Sequence, residues 1–564
     1  MTLSITNTHQ QPPNRKVGIH FKLVSSPRWV LMLFILPCLS LHAFAQDKTG
    51  EIDKIFSWAT PSTPGCSCMI SQNGTIVASK TYGSADLEQG VPVNVNTAFD
   101  IGSTRKQFIA AAILFLVKDK RLSLTDDIRK YIPELPDYGH KITIDHLLTH
   151  TSGIRDWTGI LPLASGNPTA FSLILRQQHL NFVPGDEWSY SNSGFVLLTT
   201  IAERITKRPF SELARTHIFE PLGMKNTTYI ADMQEVIPNR ALGYSKQGSD
   251  WKLNMYLGND RGGGAIFSTA NDLTLWNNAL TSGGLGTFVT EKLQEPAKLN
   301  NGRKLGYARG LTLDPYRDTK LVWHSGGAAG YHTWMGRVPS QGLSIAVTCN
   351  SDAMSATAIA NRLLALYVKS TAAPVAEDGP PPTLKGDTLI KAQKYTGLYF
   401  NEQTLEPITL ALDKDRFRVA GGPGLAAVAK GSYRRWGATV FYMSQDRFEL
   451  NFLSPNQFEI RSMEGKTTRY RRAHTYTPSA ADLQAFTGRY QSSELGALIE
   501  VTPGKDAILA HLNDASGQDL EFRPVDDDTF QMRGIFIRFL RNQSGKVTGL
   551  NYSNPVVNNI KFTK

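Results

Sequence analysis

The chain is poor in cysteine and has no apolar segment long enough to cross a membrane. Only four of its 564 residues are cysteine. Two of them, Cys66 and Cys68, are separated by a single residue with no histidine nearby, which does not match the spacing of zinc ligands. The apolar run from Trp29 to Leu36 stops at Pro37, well short of the roughly 20 residues that a spanning helix needs. We therefore expect neither a metal site nor a stable membrane span.

The N-terminal run instead has the features of an export signal. Four basic residues lie between Arg15 and Arg28, ahead of the run, and Ala43-Phe44-Ala45 follows it as a small-x-small cleavage site. We expect cleavage before Gln46 and a periplasmic or extracellular mature protein. An uncleaved helix that anchors the chain is the alternative.

Charge gives no indication of a nucleic-acid partner. Removal of the four basic residues of the signal lowers the formal net charge from +11 to +7. The remaining excess is spread along the chain, and no stacking aromatic platform accompanies the short basic cluster at residues 469–472. We expect this cluster to form a solvated face and predict no nucleic-acid binding.

Three cysteines remain after removal of the signal. Cys66 and Cys68 would share one face of a strand, and Cys349 lies in another predicted strand. The odd count favours three buried, unpaired cysteines. An exported protein also permits one disulfide to Cys349, and the sequence does not choose between Cys66 and Cys68 as its partner.

The first part of the chain mixes helices and strands. A hairpin is predicted across Asn73-Gly74, and strands return between Leu321 and Cys349 after a series of helices. Strands at both ends of this segment predict an antiparallel sheet completed by both termini, flanked by helices and carrying an inserted helical region. The predicted fold class is α+β.

The second part follows a proline-rich linker and alternates polar and apolar residues with the period of strands. Residues 393–399 resemble residues 484–490, and the glycines of the two copies, Gly397 and Gly488, lie about 91 positions apart. This repeat favours two small antiparallel β-barrels, with one larger β domain as the alternative. The predicted division is a signal peptide at 1–45, a first globular domain at 46–370, a linker at 371–384 and barrel domains at 385–475 and 476–564.

Three short motifs in the first domain carry reactive side chains. Ser103 and Lys106, at spacing i, i+3, share the face of a helix that is apolar on all sides from Ile109 to Val117. Burial would favour the neutral form of such a lysine, which could then accept a hydroxyl proton. In the second motif, Tyr190 and Asn192 point the same way from an extended loop and offer a phenol beside a carboxamide.

The third motif ends a predicted strand with His324-Ser325-Gly326-Gly327. Its glycines allow another backbone to approach closely and leave N–H groups free. His150, in contrast, is expected to fix the turn after a helix rather than to take part in the chemistry.

Ser-x-x-Lys, then Tyr-x-Asn, then a Lys or His-x-Gly strand, in this order, resembles the serine β-lactamase and penicillin-binding-protein superfamily. The similarity is strongest to the branch of class C β-lactamases, DD-carboxypeptidases, D-aminopeptidases and related esterases. Where class C β-lactamases carry a lysine in the third motif, this chain has His324, as do DD-peptidases and D-aminopeptidases. The tail resembles the two lipocalin-like barrels of a D-aminopeptidase.

This resemblance implies a role for each motif. Ser103 is the expected nucleophile, Lys106 its base and Tyr190 the residue that passes a proton to the leaving group. Asn192 is expected to hold the substrate amide, and His324 to complete the electrostatic environment of Tyr190.

The backbone at Ser103 and the third motif have the remaining expected roles. Backbone N–H groups of Ser103 and Gly327 would form the oxyanion hole, with Ser325 and Gly326 in contact with substrate. No metal or organic cofactor is implied.

The predicted function is that of an exported serine hydrolase of the β-lactamase-related type. It would act on amide or ester bonds of small molecules or short peptides with D-amino acids or peptidoglycan-like structure, as a DD-carboxypeptidase or D-aminopeptidase does. A β-lactamase or esterase of the same fold is the alternative within the enzymes. A non-catalytic protein that binds a ligand in a vestigial pocket is the alternative of another class. The sequence does not indicate an oligomeric state.

Overall fold

A computed structural model describes most of the chain after the predicted signal. The described residues are 40–164, 168–257, 263–371, 382–402, 405, 407–420, 424–429, 431–436, 448–462, 467–474, 476–512, 519–554 and 556–564. The basic stretch and the apolar run of the predicted signal lie outside them, as does most of the predicted linker. Contacts divide the chain into a unit that ends at Lys48 and a unit that begins at Thr49. Among the described helices, none combines the length and the apolar character needed to span a bilayer.

The first domain contains thirteen strands within the described residues. They are β1 (Cys66–Gln72), β2 (Thr75–Tyr82), β3 (Ser84–Asp86), β4 (Val91–Pro92), β5 (Phe99–Asp100), β6 (Thr228–Ile230), β7 (Tyr244–Gln247), β8 (Asp250–Leu253), β9 (Ala265–Ser268), β10 (Thr312–Tyr316), β11 (Thr319–Ala328), β12 (Tyr331–Val338) and β13 (Leu343–Cys349).

Helices precede, interrupt and follow these strands. They are α1 (Ser40–Ile55), α2 (Lys106–Lys118), α3 (Ile144–Leu148), α4 (Trp157–Ile160), α5 (Ala170–Arg176), α6 (Asn192–Thr206), α7 (Phe210–Ala214), α8 (Ala270–Ser282), α9 (Thr287–Gln294) and α10 (Ala356–Tyr367).

The central sheet has the order β10-β11-β12-β13-β1-β2, and each neighbouring pair is antiparallel. Its inner strands are buried on both faces because side chains alternate between two cores, whereas the edge strand β2 is largely exposed. One face packs with Trp276 of α8, and the other with Leu363 of α10. The predicted sheet, completed by strands from both ends of the domain and flanked by helices, is confirmed.

A disulfide joins Cys66 and Cys349, whereas Cys68 is buried with a free thiol. The preference for three unpaired cysteines was therefore wrong. The reason is the register of the sheet, in which β1 and β13 are neighbours and Cys66 lies directly opposite Cys349. An odd count along the chain carries no information about that register.

The tail forms two closed barrels, each preceded by a short helix. The first comprises α11 (Gly386–Tyr395), β14 (Gly397–Asn401), β15 (Pro407–Asp413), β16 (Arg416–Val419), β17 (Gly424–Ala429), β18 (Ser432–Trp436), β19 (Phe448–Ser454), β20 (Gln457–Ser462) and β21 (Thr467–Arg472). The second comprises α12 (Ala480–Phe486), β22 (Gly488–Ser492), β23 (Ala497–Pro503), β24 (Ile508–Leu512), β25 (Asp519–Asp526), β26 (Thr529–Met532), β27 (Ile535–Arg541), β28 (Val547–Asn554) and β29 (Val557–Thr563).

The repeated segment marks the same structural step in both barrels, the passage from the helix into the first strand. The buried Tyr399 hydroxyl donates to the Tyr395 carbonyl at 3.0 Å, and that of Tyr490 donates to the Phe486 carbonyl at 2.6 Å. Two barrels are confirmed, and the single larger β domain is excluded.

Two arginines of the basic cluster, Arg471 and Arg472, bind other parts of the tail. The prediction of a solvated face was therefore wrong for these two residues. Arg471 forms an ion pair with the buried Asp526 of the second barrel at 2.7 Å. Arg472 donates to the carbonyls of Lys394 and Thr396, each at 2.7 Å. These long-range partners are not visible in a local run of charge.

The second barrel also packs against the first domain, along residues 155–181. The Asn554 amide donates to the Gly159 carbonyl at 2.7 Å, and Arg155 pairs with Glu494 at 2.5 Å. A Cβ on Gly159 would lie 2.5 Å from the Val556 side chain, so the glycine permits this close approach.

Candidate active site

Ser103 lies in a 3₁₀ turn, Gly102–Arg105, that leads directly into α2. Gly102 has a φ of 53°, and a Cβ there would lie 2.7 Å from the Gly327 nitrogen. A Cβ on Gly326 would lie 2.0 Å from the Ile101 carbonyl oxygen and 2.9 Å from the Ser103 nitrogen. Side chains at either glycine would collide with backbone, so both glycines are needed to bring the serine turn against β11.

Lys106 follows the turn and is only 1% exposed. Its Nζ lies 3.2 Å from Ser103 Oγ and donates to Asn192 Oδ1 at 2.8 Å. Burial first, and then the positive charge of Arg105, hold the pKa of Lys106 well below its usual value, while Asp156 opposes this shift. A neutral amine beside the hydroxyl can accept its proton.

Asp156 orients Asn192, the first residue of α6. Its Oδ2 accepts hydrogen bonds from the Asn192 backbone N–H at 2.9 Å and from the Asn192 side-chain amide at 2.8 Å. Its Oδ1 accepts the Thr158 backbone N–H at 3.0 Å and so caps α4. With its NH₂ group held by Asp156, Asn192 presents its oxygen to Lys106.

Tyr190 precedes this helix and lies beside the lysine. Lys106 Nζ is 4.7 Å from the centre of the Tyr190 ring. Ser103, Tyr190 and Asn192 are each partly exposed, whereas Lys106 is buried behind them. A substrate could therefore reach the Ser103 hydroxyl, whereas the Tyr190 hydroxyl and the Lys106 amine lie away from water.

The third motif lies on β11 beside the serine turn. His324, Ser325 and Gly326 are buried, and Gly327 is exposed. The ring centres of His324 and Tyr190 are 6.4 Å apart. Burial, followed by the charge of Lys106, lowers the pKa of His324 to about 3, so its imidazole is neutral.

Both ring nitrogens of His324 have protein partners. Nδ1 donates to the Ser325 carbonyl at 2.6 Å, and Nε2 lies 3.2 Å from the Tyr307 hydroxyl. His150 lies 3.2 Å from the same hydroxyl. It also occupies the turn after α3 with a φ of 59°, as the sequence predicts.

The structure thus brings the three predicted motifs into one site, and it adds residues that the sequence analysis did not assign. Asp156 carries a local signal, because an acidic residue directly before a helix is a common N-cap. Its bond to Asn192, however, spans 36 positions of the chain. Tyr307 lies outside the helices and strands and has no local signal.

Residues 55–369 match the Beta-lactamase family, over more than half of the chain. The chain belongs to the Beta-lactamase family. This family is one of serine hydrolases, and the resemblance drawn from the three motifs is confirmed.

Two relatives of this Beta-lactamase family member match 47% and 59% of the chain. Penicillin-binding protein 4* of Bacillus subtilis (strain 168) is 29% identical over 295 residues, 47% of this chain and 64% of that protein. The D-aminopeptidase of Gluconobacter oxydans (strain 621H) is 26% identical over 348 residues, 59% of this chain and 64% of that protein. The matches therefore span less than two thirds of the length of either relative.

A solved structure, the octameric penicillin-binding protein homologue from Pyrococcus abyssi, shares the fold. It aligns with a TM-score of 0.52 and 22% identity, over 76% of this chain and 100% of that chain. At this identity the likeness shows the fold alone.

Proposed function

We propose that this Beta-lactamase family member is an exported serine hydrolase that cleaves amide or ester bonds through an acyl-enzyme on Ser103. The observation that carries this proposal is the buried Lys106 amine, 3.2 Å from Ser103 Oγ, with a pKa well below its usual value. A charged ammonium could not accept the serine proton, whereas a neutral amine can.

Acylation begins when Lys106 Nζ takes the hydroxyl proton of Ser103 as Oγ attacks the substrate carbonyl carbon. The negative charge that forms on the carbonyl oxygen faces the backbone N–H groups of Ser103 and Gly327. Asn192 is held by Asp156 and can accept or donate at the substrate amide beside Lys106.

The leaving group must gain a proton as its bond to carbon breaks. Tyr190 lies beside Lys106, whose amine is 4.7 Å from the centre of its ring, and we assign this step to it: its phenol gives up its proton to the leaving nitrogen or oxygen and regains one from Lys106. Water then attacks the Ser103 ester, and hydrolysis returns the proton to Oγ.

We infer that the substrates are amides or peptides of D-amino acids without a carboxylate next to the scissile bond. His324 is neutral and both of its ring nitrogens are occupied, so the third motif lacks the positive charge that a lysine would offer to a carboxylate. The relationship to a D-aminopeptidase supports the same class, because the alignment reaches over 59% of this chain.

Export rests on the predicted N-terminal signal and on the Cys66–Cys349 disulfide. Disulfides persist in oxidising compartments such as the periplasm and are rare in the cytosol.

The test is turnover by purified mature protein beside the Ser103→Ala variant. The substrates are D-alanine p-nitroanilide, its L enantiomer, a diacyl-Lys-D-Ala-D-Ala peptide and a penicillin, with intact mass recorded for each. The exposed Ser340, in the turn between β12 and β13, provides a matched control as Ser340→Ala.

We expect Ser103-dependent release of nitroaniline from the D substrate. Release of terminal D-Ala with no nitroaniline would move the assignment to a carboxypeptidase, and consumption of the penicillin would move it to a β-lactamase. Absence of any Ser103-dependent turnover or adduct would contradict the proposed hydrolase.

A further inference from the structure

His150 and Tyr307 lie beneath Tyr190 and have no part in the chemistry proposed above. Both side chains are buried, and both resist a change of charge. The pKa of His150 is held well below its usual value by burial and by Lys106, and the pKa of Tyr307 is raised well above its usual value by burial and by Tyr190.

His150 holds the backbone on either side of Tyr190. Its carbonyl accepts the Ser189 N–H at 3.0 Å, and its Nδ1 accepts the Ser191 N–H at 3.2 Å. The imidazole also packs on the Tyr190 ring, with the ring centres 4.3 Å apart. His150 thus holds both neighbours of Tyr190, Ser189 through its backbone carbonyl and Ser191 through its imidazole.

The hydrogen bonds that lead away from His150 run in one direction. Because the Ser191 N–H donates to Nδ1, neutral His150 carries its proton on Nε2 and donates it to Tyr307 Oη at 3.2 Å. Because the Ser325 carbonyl can only accept, His324 carries its proton on Nδ1. His324 Nε2 is then left to accept the Tyr307 hydroxyl proton at 3.2 Å.

We propose that His150 and Tyr307 are positioning residues that hold the Tyr190 phenol. They link its loop to β11 through this chain of hydrogen bonds, which all run in one direction. The chain begins at the Ser191 N–H and ends at the Ser325 carbonyl, so it connects the second motif with the third. The inference rests on the proposed function, because Tyr190 acts there as the proton carrier.

This hydrogen-bond chain is complete only when both imidazoles are neutral. A second proton on His150 or His324 would turn a ring nitrogen that accepts into one that donates, and one bond would be lost. The titratable groups that face this hydrogen-bond chain are Lys106 from α2 and Tyr190 from the loop before α6. A proton on Lys106 would oppose protonation of both imidazoles.

The first test is the Tyr307→Phe variant, which removes one oxygen and leaves the ring. We expect the rate of Ser103 acylation by D-alanine p-nitroanilide, whose nitrogen must gain a proton as it leaves, to fall about 10- to 100-fold, the loss expected from a misplaced catalytic group. The apparent affinity should stay within about threefold, because the phenol contributes to the transition state rather than to binding. Tyr490→Phe, which also removes a buried hydroxyl bonded to a carbonyl, is the matched control and should keep the wild-type rate.

A double-mutant cycle separates positioning from general loss of structure. If Tyr307 acts through Tyr190, then Tyr307→Phe should slow the Tyr190→Phe variant by less than about twofold, because effects within one unit are not additive. Losses that multiply in the double variant, or a wild-type rate in Tyr307→Phe alone, would overturn the proposal while leaving the hydrolase assignment intact.

A second measurement does not depend on activity. Long-range ¹H–¹⁵N spectra of protein labelled at histidine nitrogen should show His150 protonated at Nε2 and His324 at Nδ1, both neutral at pH 6. His150→Asn identifies the first signal and suits the positive φ, which asparagine tolerates. Reversed protonation sites or a doubly protonated ring at that pH would refute the proposed hydrogen-bond chain even if no substrate were turned over.

Discussion

The buried ion pair between Arg155 and Glu494 offers a sharp test of how the second barrel supports the site. The two side chains are 4% and 6% exposed and lie 2.5 Å apart. Glu494 also accepts the Gln178 N–H at 2.7 Å, and Arg155 donates to the Asn558 carbonyl at 3.2 Å. Loss of the carboxylate charge would leave the guanidinium buried without its counter-ion, which costs about 3–5 kcal/mol of stability.

Glu494→Gln makes this change with almost no change of shape. In a cooperative unit of 150 to 250 residues, a cost of about 3–5 kcal/mol lowers the melting midpoint by roughly 6–20 °C. The control is Glu500→Gln in the same barrel, since Glu500 is 50% exposed and 4.0 Å from Arg489. Exposed pairs of this kind contribute less than about 1 kcal/mol. Scanning calorimetry of both variants beside the wild type measures the difference.

Removal of both charges should reverse the effect. An apolar pair of similar volume often equals or exceeds a buried ion pair in stability, so Arg155→Met with Glu494→Leu should recover most of the midpoint. Because Asp156 follows Arg155 and orients Asn192, Glu494→Gln should also slow Ser103 acylation below its first unfolding transition. Equal midpoints for the variants of Glu494 and Glu500 would refute the reasoning.

Three further outcomes are expected. Gly326→Ala should lower the acylation rate about 100-fold in stopped-flow assays, because its Cβ would lie 2.0 Å from a backbone oxygen of the serine turn. Replacing Cys66 and Cys349 together by alanine should cost about 2–5 kcal/mol in denaturant unfolding, since their bond closes a loop across 283 positions. The pKa values of His150 and His324 are lowered in the folded state, so stability should fall as the pH drops below about 6.5. The slope, measured by unfolding between pH 5 and 7, should reach up to about 1.4 kcal/mol per pH unit for each imidazole.

Local pattern predicted several elements of the fold. The apolar stretch after Ser103 forms the buried helix α2, and the repeat at Gly397 and Gly488 marks the entry into each barrel. These features depend on neighbours within a few positions, where helix and strand periods are visible. The Cys66–Cys349 bond depends instead on which strands become neighbours, which the sequence alone does not state.

The same distinction applies to the site. Ser103 and Lys106 were predictable as a pair, because a spacing of three places them on one face of a helix. The carboxylate that turns Asn192 towards the lysine, and the Tyr307 hydroxyl that joins two imidazoles, come from distant segments and irregular backbone. Reactive groups therefore leave local signals in the sequence, whereas the residues that orient them are recognised only through their contacts.

The charge state of the site follows from the way its basic groups share one buried region. A charged Lys106 would disfavour a proton on His150 and on His324, and burial disfavours a proton on all three. A proton gained by any one of them makes protonation of the other two still less favourable, so the neutral arrangement is mutually supported. A neutral lysine has a free electron pair to accept the serine proton, and neutral imidazoles keep the tautomers that the hydrogen-bond chain through Tyr307 needs. The base and the device that positions the phenol thus depend on the same absence of charge, and acidification should impair both together.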